Sequence, residues 1–174
     1  MKVIIYGSKY GSTKKYAEYL AGNTNIPLIE YKEVKDINRY ETIIYLGALY
    51  AGGVLGMKKT FKKLINLENK KIIIATVGLG DPKVLENTIN IKEGIKRQLS
   101  NELYKKAHIY HLRGKINYQK LNVAHKTMMK LLYKKAKSLP DDKKDEETKT
   151  FIETYNEVVD FVDFNSLGPI IEDI

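Results

Sequence analysis

"KVIIYGSKYGSTKKYAEYLAG", residues 2–22, runs from a short β-branched stretch through a turn with two glycines into a segment of helical periodicity. Val3, Ile4 and Ile5 read as a buried strand, and Tyr16, Ala17, Leu20 and Ala21 recur at helical spacing. Between them lie three hydroxyls (Ser8, Ser12, Thr13), two glycines (Gly7, Gly11) and three lysines (Lys9, Lys14, Lys15). A strand that passes through such a turn straight into a helix is the opening unit of a parallel α/β sheet, because parallel strands need a crossover.

The same alternation continues. Apolar runs at 26–31, 42–47, 71–78 and 107–112 read as further strands, and helical patterns fall at 14–21, near 36–40, at 57–65 and across 82–106. Right-handed crossovers then place helices on both faces of a five-stranded, doubly wound parallel sheet. After the fifth strand "RGKINYQKLN" (113–122) reads as polar and turn-like, 123–139 as an amphipathic helix, and 139–149 as a mobile charged loop. The last stretch, 150–174, reads as an extension made of a helix, a short extended piece and a terminal helical turn. At 174 residues, the chain reads as a single domain, 1–174, with one core.

Composition removes several chemistries. Cysteine is absent, which excludes disulfides, thiolate metal sites and cysteine nucleophiles. The charge-free stretch 42–57 is glycine-rich and shorter than the ~20 residues that span a bilayer, and the first apolar run is too short for a signal core, so a cytoplasmic protein is expected. The net charge of +9 divides into +7 over 1–102, +10 over 103–140 and −8 over 141–174. A basic block followed by an acidic tail fits either an anionic partner or two surfaces of this chain that face each other.

In a parallel α/β sheet, ligands bind beyond the carboxyl ends of the strands. Three loops there carry the functional signal. In the first, Ser8, Lys9, Tyr10, Gly11, Ser12 and Thr13 offer backbone N–H groups and short hydroxyls at a helix N-terminus, an arrangement that suits an anion such as phosphate. Lysines in a helix's first turn oppose its dipole by ~0.3–1 kcal/mol each, a cost that a bound anion reverses. A simple cap on the helix by Ser12 or Thr13 explains the same hydroxyls, and the turn alone does not decide between the two.

In the second loop, Ala48, Leu49, Tyr50, Ala51, Gly52 and Gly53 combine close backbone approach with one aromatic face, as a planar ring system requires. The third, Val77, Gly78, Leu79, Gly80 and Asp81, is again glycine-rich. Neither G-x-x-x-x-G-K-[ST] nor G-x-G-x-x-G is present, so triphosphate and dinucleotide loops are not supported. His108 and His111 point to opposite faces of a strand, and the pairs Asp141–Asp142 and Glu146–Glu147 lie in a solvated run, so no metal site and no catalytic dyad is assigned.

Ser8, Gly11 and Thr13 after the first strand, with glycine-rich loops after the third and fourth, resemble the flavodoxins over the first 112 residues in element order. More loosely, "GKINYQKLNVAHKTMMKLL" (114–132) and the tail containing "VDFVDFNSLGPII" resemble the flavodoxin-like, quinone-linked protoporphyrinogen dehydrogenases and their relatives.

The resemblance implies a flavodoxin-like fold with strand order 2-1-3-4-5 and an additional C-terminal helical extension. It also implies one non-covalent FMN, its phosphate on 8–13 and its ring between 48–53 and 77–81. Electron transfer through that flavin would run to a redox partner protein or a small organic acceptor; a protoporphyrinogen or quinone reaction and a non-redox anion-binding module are the alternatives. The three loops hold one acid, Asp81, beside Lys9, Lys14 and Lys15, whereas low-potential flavodoxins are acidic around the flavin, so a less negative potential is expected. Helix 123–139 either covers the sheet as a crossover helix, the preferred reading, or lays its lysines on an anionic membrane or an acidic partner; nucleic-acid binding ranks lower, for want of a motif.

Overall fold

A computed structural model describes residues 1–50, 52–144 and 146–174, with the side chains of Glu146 and Glu147 also outside the description. The main sheet is built from β1 (Lys2–Gly7), β2 (Leu28–Glu30), β3 (Thr42–Tyr50), β5 (Lys71–Gly78) and β6 (His108–Arg113), in the order β2-β1-β3-β5-β6, all parallel. A two-residue strand, β4 (Gly53–Val54), folds back antiparallel on the end of β3. The five parallel strands therefore stand in the expected order 2-1-3-4-5.

Strand alternation sorts the core into two layers. Val3, Ile5, Ile43, Tyr45, Ile72 and Ile74 pack on one face with Met57, Phe61, Ile95 and Leu103, which come from α2 (Met57–Phe61), α3 (Leu85–Lys96) and α4 (Asn101–Lys106). Ile4, Ile44, Leu46, Ile73 and Ala75 pack on the other with Tyr16, Ala17 and Leu20 of α1 (Ser12–Thr24). The 82–106 pattern breaks into two helices because Ser100 caps the second, its side chain accepting from Leu103 N.

Two expectations about short segments are corrected, and the charged run 139–149 takes partly regular form. Residues 36–40 form no helix; Val34, Ile37 and Tyr40 bury their side chains in the first core layer from turns and irregular chain. Segment 113–122 is not merely turn-like, since β7 (Lys115–Asn117) pairs antiparallel with β8 (Val158–Asp160). The 139–149 run holds a 3₁₀ turn at Asp141–Lys143 and the start of α6 (Glu146–Thr154); Asp145 lies outside the described residues.

The largest correction concerns α5 (Val123–Ser138). It does not cover the sheet: among its described side chains only Ala136 is buried. The space beside α1 is filled instead by the chain's end, a 3₁₀ turn at Phe164–Leu167 and α7 (Gly168–Glu172), which insert the fully buried Leu167 and Ile170 into the second core layer. Asp173 fixes this end at the start of the strands, accepting from His108 Nδ1 at 2.7 Å and Tyr110 Oη at 3.0 Å and pairing with Lys71 Nζ at 3.0 Å.

Candidate functional site

A cavity of about 460 Å³ lies over the carboxyl ends of β3, β5 and β6. Its floor is made by Tyr10, Ser12, Ala48, Leu49, Tyr50, Val77, Gly78, Leu79 and Gly80, which joins parts of all three sequence-singled loops. Its other wall comes from the C-terminal half of the chain: Gly114 to Ile116, Met128, Met129, Leu132, Lys135, Ala136, Leu139, Thr148 and Phe151. A cavity of about 530 Å³ lies elsewhere, between residues 58–67 and 97–103, and none of the three loops reaches it.

The first loop turns at Gly11, whose φ of +94° only glycine adopts without strain, and Ser8 Oγ accepts from Gly11 N at 3.2 Å. Helix α1 starts there with no side-chain cap, so its first N–H groups have no partner from the helix itself or from a capping side chain. Thr13 is 1 % exposed and its Oγ1 has no hydrogen-bond partner. Neither Ser12 nor Thr13 caps the helix, so its first N–H groups and the buried Thr13 hydroxyl are left without partners, the donor set that an acceptor-rich anion requires. Lys14 pairs with Glu18 at 3.7 Å, both well exposed, and Lys9 Nζ stands 5.0 Å from the Tyr50 ring centroid.

The second loop is a tight hairpin between β3 and β4. Tyr50 faces the cavity, whereas Gly52 takes a φ of +76° at the turn and Gly53 packs so close to Gln98 that a Cβ there would lie 2.0 Å from its Nε2. These glycines shape the hairpin and do not line the cavity; Ala51 lies outside the described residues. In the third loop Gly78 packs under Leu49, a Cβ there falling 2.6 Å from Leu49 Cδ1. Asp81 turns away from the cavity: its Oδ1 accepts from Lys83 N at 2.9 Å, and its Oδ2 is 3.9 Å from Arg113 Nη1.

Arg113 was missed by the sequence reading, yet it holds this loop. Its Nε and Nη2 donate to Leu79 O at 3.2 and 3.0 Å, and its guanidinium lies 3.7 Å from the Phe161 ring centroid. The next residue, Gly114, donates its N–H to Gly78 O at 2.6 Å. A Cβ on Gly114 would meet Ser12 Oγ and Val77 Cγ1 at 3.0 Å, so the first and third loops close on this glycine.

The C-terminal wall is a small core of its own. Ile116, Tyr118 and Leu121 pack with Tyr10, Leu79, Met129, Phe151, Tyr155 and Val159. Tyr133 stacks on Tyr155 with ring centroids 4.0 Å apart, joining α5 to the residue that follows α6. His125 meets Tyr10 and Tyr50 edge-on at 5.9 and 6.4 Å, so three rings from two halves of the chain ring the cavity's edge. Burial pushes the Tyr118 hydroxyl up to about 12, with the Tyr155 and Tyr10 hydroxyls adding to the rise, and raises Tyr10 as well, aided by Tyr50; both phenols are neutral donors near neutral pH. Neither Tyr10 Oη nor Tyr118 Oη has a partner. The signal for this wall was present in the sequence as the i, i+4, i+8 row Met128, Leu132, Ala136, an apolar row for which the sheet had no room.

Among the described residues no helix is long and apolar enough to cross a membrane, and no group of three or more His, Asp and Glu could hold a metal ion.

A family model described as a flavodoxin domain matches residues 3–143. Among solved structures the chain is similar to a candidate flavoprotein from Bacteroides uniformis, with 13% identity over 65% of this chain and 90% of that one and a TM-score of 0.47. It is also similar to a Fusobacterium nucleatum flavodoxin variant bound to flavin mononucleotide, with 21% identity over 70% of this chain and 72% of that one and a TM-score of 0.42. No curated protein sequence matches the chain.

Proposed function

The chain belongs to the flavodoxin domain family, and from that premise we propose that it binds one FMN and transfers electrons through it. The observation that carries the reading is the unpartnered Thr13 hydroxyl beside the uncapped start of α1, next to Ser12, which lines a cavity whose size suits a mononucleotide. The residues present fit the group. Ser8 to Thr13 would hold the phosphate, with Lys9, Lys14 and Lys15 offsetting its charge; Ala48, Leu49, Tyr50 and Val77 to Gly80 would flank the ring. Gly52, Gly53 and Asp81 support those loops from behind. When bound, FMN supplies reversible one- and two-electron chemistry. The chain's part is to orient it, to keep water from it with Met128, Met129, Leu132 and Phe151, and to present the Tyr10 hydroxyl as a neutral donor.

A second reading has a specific observation in its favour. A carrier that meets a protein partner needs an open flavin edge, whereas here α5 and α6 wall the cavity with apolar side chains. An oxidoreductase acting on a small organic acceptor, of the protoporphyrinogen or quinone type suggested by the 114–132 resemblance, accounts for that wall and for the scarcity of acids near the site.

Reconstitution tests the first reading. Purified chain mixed with FMN and desalted is expected to emerge yellow, with one FMN per chain and quenched flavin fluorescence. A colourless protein sinks the proposal and leaves an anion-binding interaction module. Reoxidation of the photoreduced holoprotein by a water-soluble quinone, compared with a protein acceptor, then separates enzyme from carrier.

A further inference from the structure

Helix α5 has two working faces, and the cavity accounts for only one. Met128, Leu132 and Ala136 form the row that lines the cavity. Next to it runs the row Val123, Thr127, Leu131, with Val123 81% and Leu131 63% exposed, and next to that the row Lys126, Lys130, Lys134, all exposed, with Lys137 one turn on. None of these four lysines lies within 4.0 Å of a described carboxylate, and Lys137 sits over the Tyr133 ring at 5.6 Å. No acidic residue occurs anywhere in 103–140.

We propose that this outer face of α5 is a docking surface for an anionic phospholipid bilayer. Two observations converge on that occupant. The helix stands off the sheet, so its lysines balance no buried charge. The exposed apolar row lies beside the basic row over the same turns, the pattern with which an interfacial helix dips side chains into the headgroup boundary while its lysines meet lipid phosphates. The inference does not depend on the flavin, whose binding is read separately by absorbance.

Co-sedimentation of the full chain with vesicles of phosphatidylcholine, with and without phosphatidylglycerol, tests it. Binding is expected only to the phosphatidylglycerol vesicles and is expected to weaken with salt. Each Lys→Gln change at Lys126, Lys130 or Lys134 should lower partitioning roughly five-fold, because a basic side chain near an anionic surface contributes about 1 kcal/mol. Val123→Ser with Leu131→Ser, which leaves the charge unchanged, should weaken binding several-fold further, with circular dichroism and FMN binding intact. The proposal is overturned if the wild-type chain stays in the supernatant, or if the serine variant binds as the wild type does while soluble polyglutamate binds equally well, which would assign the face to an acidic protein.

Discussion

The Tyr16 hydroxyl donates to the carbonyl oxygen of Arg113 at 2.8 Å and accepts the Asp163 N–H at 2.9 Å. Because the Arg113 side chain also holds Leu79 O, one phenol ties the helix behind the first loop to the residue that fixes the third loop and to the chain's tail. Tyr16 is fully buried, so Tyr16→Phe removes both bonds with little change in shape. Loss of about 1–2 kcal/mol is expected, read as a lower denaturant midpoint with an unchanged m-value. An unaltered midpoint would show that the tail is not anchored through this hydroxyl.

Thr13→Val exchanges the orphaned hydroxyl for a methyl group of nearly the same size. Affinity for FMN should fall about ten-fold, the equivalent of one strong hydrogen bond, while affinity for riboflavin, which lacks the phosphate, should hold. Equal losses for the two ligands, followed by flavin fluorescence titration, would move Thr13 out of the phosphate site.

The same substitution should change sign between two glycines. At Gly11 a Cβ meets nothing within 4 Å, yet the φ of +94° makes Gly11→Ala costly by about 1–2 kcal/mol from backbone strain alone. At Gly22, inside α1, a Cβ also meets nothing, and Gly22→Ala should stabilise the fold by about 0.5–1 kcal/mol. Thermal unfolding of the two variants measures both.

Burial, aided by the charge of Lys92, lowers the pKa of His111 to about 4, while its Nδ1 sits 2.8 Å from Thr76 Oγ1 and its Nε2 has no partner. A folded-state value below the unfolded ~6.5 means that the unfolded chain takes up the proton first, so stability present above pH ~6.5 is lost as the pH falls toward 4. His111→Gln, which keeps a polar partner for Thr76, should flatten that decline, worth roughly 3 kcal/mol at most. Urea midpoints across this pH range decide it; equal slopes for wild type and variant would exclude His111 as the titrating group.

The sheet was legible because its strands are short, β-branched and separated by crossovers, so Ile4, Ile44 and Ile73 had only one way to pack. The loops were legible as glycine patterns at strand ends, although only Tyr10, Ser12, Ala48 to Tyr50 and Val77 to Gly80 among them line the cavity. Tertiary pairing was not legible. Lys115–Asn117 has no strand pattern of its own and acquires one by pairing with Val158–Asp160, some forty residues on, which local periodicity cannot show. For the same reason α5 read as a sheet cover: its apolar row fits a sheet as well as a cavity, and only the later arrival of Leu167 and Ile170 takes that place on the sheet.

The ribbon of β7 and β8 closes a loop of that length with three residue pairs, whereas β3 and β5 share seven. Closing so long a loop for so few bonds leaves the ribbon, with α5 and α6 between its strands, near the low end of the opening free-energy scale, and the central strands near the top. On that scale the cavity is expected to join the slowest-exchanging amides of the molecule to some of the fastest. A ligand that touches both sides would register first as slowed hydrogen exchange at residues 115–117 and 158–160, so this thin ribbon is a built-in reporter of what the cavity holds.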